Sequence, residues 1–137
     1  MAVVEELLRS EKDGTISFGN HALANKAKLE DFEHCGDLYK VKTFKTMTRL
    51  EKNGMFVYES VPGTAVTGFK ATEEEISFQV EGAEDAQITL ELEAGTEYDI
   101  KINGTDAGVM KTNLGGKLSI SVEFDGNSIV TVGISKK

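Results

Sequence analysis

The stretch that decides the fold is ISFQVEGAEDAQITLELEAGTEYDIKI, residues 76–102, in which apolar and polar side chains alternate through three successive runs. Two more runs of this kind follow, over residues 118–124 and 130–134. A period of two places successive side chains on opposite faces of a β-strand, so each run buries one face and exposes the other. The turn positions between the runs all contain glycine: Glu81-Gly82, Ala94-Gly95, Asn103-Gly104, Gly115-Gly116 and Asp125-Gly126. Short strands at such spacing predict an all-β fold, an antiparallel β-sandwich or jelly-roll-like arrangement of about ten strands.

Hairpin turns organise the first half of the chain as well. Asp13-Gly14 between apolar residues predicts a β-hairpin over residues 1–18, with a helix over residues 2–9 as the alternative. Strands are predicted at residues 38–44 and 47–50, and Asn53-Gly54 then predicts a second hairpin turn with residues 55–60 as the partner strand. Val61-Pro62-Gly63-Thr64 has the proline and glycine positions of a type II turn.

Residues 19–37 differ from their surroundings, because alanine and leucine occur there among lysine and asparagine. We expect one short helix or a long loop in this segment. At 137 residues the chain is long enough for one domain with its own core. We therefore predict a single β-sandwich domain over residues 1–137, composed of the N-terminal hairpin (1–18), the irregular segment (19–37) and the main sheets (38–137).

The charge of the chain is unevenly distributed. Residues 1–70 carry ten basic and ten acidic side chains, whereas residues 71–137 carry five basic and thirteen acidic ones, which gives the whole net charge of −8. An acidic surface repels phosphate backbones, so we expect no nucleic-acid partner. No apolar run approaches the roughly 20 residues that cross a bilayer, and acids at Glu5 and Glu6 are unlike the start of a signal peptide. We expect no membrane association and a cytoplasmic location, with export that needs no cleaved signal as the alternative.

Catalytic and metal-binding patterns are weak. Cys35 is the only cysteine, and as its neighbour on an extended chain His34 would point to the opposite side and could not readily activate it. His21, His34 and Cys35 do not have the paired spacing of a zinc site. A structural calcium ion is the alternative, because oxygen ligands are available at Asp99, Asn103, Asp106, Asp125 and Asn127. No loop of the chain has the regular alternation of ligands that an EF-hand needs. We assign no catalytic residue, no metal site and no cofactor.

The middle third carries the best candidates for recognition, because aromatic and basic side chains are interleaved there. In Met55-Phe56-Val57-Tyr58 both faces of the strand are apolar, so it is either buried on both sides or covered by a partner. Aromatic rings flanked by cations are suited to stacking on sugar rings or to binding an acidic glycan. The predicted interaction surface consists of Tyr39, Phe44, Arg49, Phe56, Tyr58 and Phe69. Contact of Phe56 or Tyr58 with the N-terminal hairpin, or with another subunit, is the alternative.

Two resemblances accompany these patterns. The runs EYDIKING (97–104) and GGKLSISV (115–122) resemble the C-terminal β-sandwich modules appended to polysaccharide lyases and glycoside hydrolases, over about residues 74–134. The whole chain, including YESVPGT (58–64) and VEGAEDAQI (80–88), is similar to a small family of short proteins from anaerobic Firmicutes, some of them labelled endosialidase-like. That label implies cleavage of sialic-acid polymers. Such a site needs an arginine cluster for the glycan carboxylate, and the chain has only Arg9 and Arg49.

Three functions follow as expectations. The first is a non-catalytic binding or accessory β-sandwich protein with a protein or a glycan as partner. The second is a structural protein that self-assembles through the doubly apolar strand of residues 55–58. The third is an endosialidase-like enzyme acting on saccharides.

Overall fold

The alternating apolar side chains form the inner faces of two antiparallel sheets that pack against each other. The computed structural model describes residues 3–124 and 129–137, and these contain thirteen strands and no helix. In chain order the strands are β1 (Leu8–Ser10), β2 (Ile16–Phe18), β3 (Ala27–His34), β4 (Asp37–Thr43), β5 (Thr48–Lys52), β6 (Met55–Val61), β7 (Thr64–Ala71), β8 (Glu75–Gly82), β9 (Ala86–Glu91), β10 (Glu97–Ile102), β11 (Thr105–Lys111), β12 (Lys117–Val122) and β13 (Val130–Lys136).

The seven-stranded sheet has the order β1-β2-β7-β8-β13-β10-β11, and the six-stranded sheet has the order β12-β9-β6-β5-β4-β3. This arrangement confirms the predicted β-sandwich. The five alternating runs of the second half contain β8, β9, β10, β12 and β13, and their alternating apolar residues are buried except for the partly buried Leu92, Ile102 and Phe124.

An aromatic cluster fills the centre of the core. Phe18 and Tyr58 meet edge to face with ring centroids 5.2 Å apart, and Phe69 stacks on Phe78 at 5.7 Å. Tyr58 comes from the six-stranded sheet and the three phenylalanines come from the other, so the cluster joins the two layers. Burying each ring contributes roughly 1.5 to 3 kcal/mol to folding.

The N-terminal hairpin is confirmed, with shorter strands than the sequence suggests. Leu8–Ser10 pairs with Ile16–Phe18, and Gly14 takes the positive φ of the turn at +88°. The alternative of a helix over residues 2–9 is wrong for its described part, because Leu7 has φ +73° and Leu8 already belongs to β1.

The expectation of a helix or long loop over residues 19–37 is only partly right. Residues 19–26 are irregular, but Ala27–His34 is a strand paired with β4, and together they form a hairpin. The strand was hard to recognise because a register shift between Leu29 and Phe32 interrupts the alternation, with Asp31 at φ +57°.

A type II turn at Val61-Pro62-Gly63-Thr64 is also wrong. The Val61–Pro62 peptide bond is cis, and Gly63 is not among the residues with positive φ that a type II turn needs at this position. Gly63 is required for another reason: a Cβ atom there would collide with the carbonyl oxygen of Phe44 in the neighbouring turn.

Candidate functional site

The six residues of the predicted interaction surface do not form one surface. Tyr58 is fully buried and Phe69 is 5% exposed, and both belong to the aromatic core. They are therefore wrong as members of an exposed surface. The other four lie in three places. Arg49 and Phe56 are on the outer face of the six-stranded sheet, Phe44 is in the turn of residues 44–47 at one end of the sandwich, and Tyr39 is at the opposite end.

Phe56 and Arg49 lie together on the outer face of the six-stranded sheet. A register shift between β5 and β6 pairs Leu50 with Tyr58 but Glu51 with Phe56, so Val57 is the extra residue of a bulge. Because of the bulge, Val57 packs against the core while Phe56 faces outward. The centroid of the Phe56 ring is 5.3 Å from Arg49 Cζ and 3.6 Å from Lys117 Nζ. This strand is an inner strand of its sheet, between β5 and β9, so it offers no edge for self-assembly.

Phe44 lies in the turn between β4 and β5, where Lys26 approaches its ring at 5.9 Å. Its backbone nitrogen donates to the carbonyl oxygen of Met47 at 3.0 Å. This turn is separate from the outer face that carries Phe56 and from the position of Tyr39.

Tyr39 and Phe69 both line a cleft between the two sheets. The cleft has a volume of about 460 Å³ and opens at the end of the sandwich that carries the β1–β2, β3–β4, β5–β6 and β7–β8 turns. Its apolar side chains come from both sheets and are Ile16, Tyr39, Val57, Phe69 and Ile76. Ligand sites in proteins are typically of this size, about 300 to 1,000 Å³, and of this mostly apolar character.

Polar side chains of both charges surround the opening: His34, Asp37, Lys52 and Lys70. Glu91 also lines the cleft, but its carboxylate is ion-paired with Lys117 on the outer face of the sheet. Asp37 accepts a hydrogen bond from the Asn53 amide at 2.9 Å and lies 3.4 Å from the Lys52 ammonium. The Asn53 hydrogen bond, and after it the charge of Lys52, lower the pKa of Asp37, so this carboxylate is ionised at neutral pH. Lys70 forms no ion pair with any described residue.

Tyr39 is held in place by its neighbours. Its ring meets the His34 imidazole edge to face at 5.9 Å, and burial, followed by the charge of Asp37, raises the pKa of its hydroxyl. His34 is fixed in turn, because its Nδ1 is 2.8 Å from Ser10 Oγ and its Nε2 is 3.0 Å from the Gly14 carbonyl oxygen. Since the carbonyl only accepts, Nε2–H donates to it, and in the neutral ring Nδ1 then accepts from Ser10.

A second depression continues the cleft along the seam between the sheets. Its volume is about 490 Å³, and it shares Ala71, Thr72, Ile76 and Glu91 with the first. Acidic side chains prevail on its rim: Glu73, Glu75 and Glu93, with Lys136 ion-paired to Glu93. The two depressions together form an elongated groove that passes over Ile76.

The remaining chemical candidates are dispersed. Both ring nitrogens of His34 are engaged, so neither is left for Cys35, which is exposed in the β3–β4 turn. His21 is 6% exposed and lies at the opposite end of the sandwich. Arg9 belongs to β1 and Arg49 to β5, in different sheets, and each is ion-paired with glutamates.

Metal-binding side chains do not converge within residues 3–124 and 129–137, where no group of three His, Cys, Asp or Glu could hold an ion. Asp125 and Asn127, two of the candidate calcium ligands, lie outside the described residues. The side chains of Asn103 and Asp106 accept hydrogen bonds from Thr131 N and Gly108 N, respectively. The part of the chain that the structure describes has no helix long and apolar enough to span a membrane.

The cleft was not recognisable as a unit from the sequence, because its lining comes from eight strands and three turns. The sequence marks Tyr39 and Phe69 by their place in the aromatic and basic middle third, Val57 by its doubly apolar strand, and Ile76 only as part of an alternating run. Comparisons with protein-family models, with curated proteins and with solved structures found no match.

Proposed function

We propose that this chain is a non-catalytic binding protein and that its inter-sheet cleft takes a saccharide. The observation that carries the proposal is the position of Tyr39, half-buried in the cleft floor, beside the charged pair Asp37 and Lys52 on the rim. A sugar ring has a C–H face that packs on an aromatic ring and hydroxyl groups around its edge that need polar partners.

The mixed charge of the rim favours a saccharide over other small ligands. A hydroxyl group both donates and accepts hydrogen bonds, so it can use carboxylates such as Asp37 and ammonium groups such as Lys52 and Lys70. A fatty acyl chain gains nothing from the polar groups of the rim. A phosphate or other compact anion would meet Asp37 beside Lys52, which leaves Lys70 as the lysine of the rim without an ion pair to a described residue. The acidic continuation of the groove, at Glu73 and Glu75, offers further acceptors to a second sugar residue.

The sequence resemblance to accessory modules of polysaccharide-processing enzymes agrees with this proposal. It suggests a role in holding a glycan and assigns no reaction to the chain. A protein partner for the same surface is the alternative, and the outer face around Phe56 is where we would then look for the contact.

Calorimetric titration with a panel of neutral and acidic mono- to tetrasaccharides tests the proposal. Tyr39→Ala removes the aromatic floor, and Phe56→Ala is the matched control, because both rings are partly buried on the same sheet but on opposite faces. We expect at least one saccharide to bind, with affinity reduced more than tenfold by Tyr39→Ala and unchanged by Phe56→Ala. Absence of binding across the panel, or loss of binding in the Phe56 variant alone, would overturn the proposal.

A further inference from the structure

The groove between the two sheets changes its charge along its length. Among the described residues on the rim of the cleft, two lysines accompany one carboxylate: Lys52, Lys70 and Asp37. On the rim of the second depression the balance is reversed, and three carboxylates accompany one lysine: Glu73, Glu75, Glu93 and Lys136. A ligand that occupies the whole groove therefore meets a basic end and an acidic end.

Two of the acidic side chains at the second depression have no ionic partner. Lys136 is ion-paired with Glu93, and neither Glu73 nor Glu75 forms an ion pair with any described residue. The turn that carries them is closed by Thr72, whose N–H donates to the Glu75 carbonyl oxygen at 2.8 Å and whose Oγ1 accepts from Glu75 N at 3.1 Å. Two unpaired carboxylates beside one depression favour a ligand group with positive charge.

The floor of the second depression contains a hydrogen-bond donor that the protein does not use. Tyr98 lines the depression and is only 2% exposed, and its hydroxyl oxygen accepts a hydrogen bond from Glu93 N at 3.1 Å. A phenol also donates one hydrogen bond, and no described residue accepts this proton. Since buried polar groups in proteins are normally partnered, the unused donor suits an oxygen atom of a ligand. The apolar side chains of Ile76 and Leu92 lie beside it and suit the C–H face of a sugar ring.

We propose that the second depression takes a sugar residue with a free, protonated amino group, while the adjoining residue of the same saccharide occupies the cleft. This inference rests on the proposed saccharide site and names the class of saccharide. The ammonium group would lie against the carboxylates of Glu73 and Glu75, and a hydroxyl or ring oxygen of the sugar would accept from Tyr98. Lys70 repels a second ammonium group at the other end of the groove, so the residue that packs on Tyr39 is the uncharged one.

The test compares two disaccharides that differ by one positive charge. One is an N-acetylglucosamine disaccharide with one free amino group, used as both positional isomers, and the other is the fully acetylated disaccharide. In calorimetric titration at low ionic strength, the better isomer should bind about fivefold more tightly than the acetylated disaccharide, in the range of an exposed ion pair. The difference should shrink as added salt screens the exposed charges. Tyr39→Ala should weaken the binding of both disaccharides.

Variants in one turn locate the preference for the amine. The double variant Glu73→Gln/Glu75→Gln removes both unpaired carboxylates. Glu74→Gln is the matched control, because Glu74 has the same charge in the same turn but does not line the depression. All three side chains are exposed, so we expect these changes to leave the fold intact. The double variant should bind the two disaccharides equally, with unchanged affinity for the acetylated one, whereas Glu74→Gln should keep the preference.

Equal binding of the two disaccharides by the wild type would overturn this inference and leave the proposed cleft standing. Loss of the preference in Glu74→Gln to the same extent as in the double variant would do the same. If neither disaccharide binds, the inference falls, and the saccharide panel with Tyr39→Ala decides the proposed function separately.

Discussion

Tyr58 Oη lies 2.8 Å from Thr64 Oγ1, and neither side chain is exposed to solvent. Tyr58 belongs to the six-stranded sheet and Thr64 to the seven-stranded sheet, so their hydrogen bond crosses the interface between the layers. Thr64 Oγ1 is also 2.7 Å from Ser60 Oγ, and Thr48 Oγ1 binds both the backbone nitrogen and the carbonyl oxygen of Thr64. Burial raises the pKa of the Tyr58 hydroxyl, which stays protonated and can donate.

Removing different hydroxyl groups from this network should lower the free energy of unfolding by different amounts. Tyr58→Phe removes one hydroxyl and leaves Thr64 paired with Ser60, so it should lower the free energy of unfolding by about 1 kcal/mol. Thr64→Val leaves the buried hydroxyls of both Tyr58 and Ser60 without this partner, so it should lower the free energy by about 3 kcal/mol. Urea denaturation measures both. Equal losses, or a larger loss for Tyr58→Phe, would contradict this account of the network.

Gly63 should be intolerant of any side chain. Gly63→Ala forces its Cβ against the Phe44 carbonyl, and backbone atoms of two adjoining turns would have to move. We expect a loss of roughly 2 to 4 kcal/mol, in the range of other severe backbone and packing changes. Gly133→Ala is the control, since a Cβ there meets no atom within 4 Å in an ordinary strand conformation. Gly133→Ala should be neutral or slightly stabilising. Thermal unfolding of both variants measures the difference.

His21 should make the protein less stable in mild acid. Burial lowers the pKa of His21 below its ordinary value of 6.5, although Glu81 opposes this, so the unfolded chain takes up the proton more readily than the folded one. The free energy of unfolding should therefore fall as the pH drops through 6.5 towards the folded-state pKa, and this effect should be absent above that range. Denaturation of wild type and His21→Gln between pH 5 and pH 8 isolates the contribution. Parallel pH profiles would show that His21 does not cause it.

Period-two alternation was sufficient to predict the sandwich, and it failed where strands depart from that period. Strand β11 went unrecognised because all seven of its residues are exposed, so no buried face imposes an alternation. Strand β3 was missed because its bulge breaks the pattern. A strict period of two would likewise place Phe56 and Tyr58, two residues apart, on one face, whereas the bulge at Val57 sends them to opposite faces.

The candidate site was less accessible from the sequence than the fold. Its floor consists of inward-facing residues such as Val57 and Ile76, which differ from the rest of the core only in lying where the two sheets separate. Alternation identifies an inward side chain but carries no information on the distance to the opposite sheet. The ion pair between Asp37 and Lys52 depends on the register of β4 and β5, which pairs Lys52 with Tyr39. The sequence of the β4–β5 turn does not by itself specify that register.

The most direct test of the proposed saccharide site is to map chemical-shift changes on isotope-labelled protein during titration with the best-binding saccharide of the panel. The account predicts the largest changes at Tyr39, Lys70 and Thr72 around the cleft, and small ones at Arg49, Phe56 and Lys117 on the outer face. Changes centred on the outer face, or no changes at saturating saccharide, would contradict it.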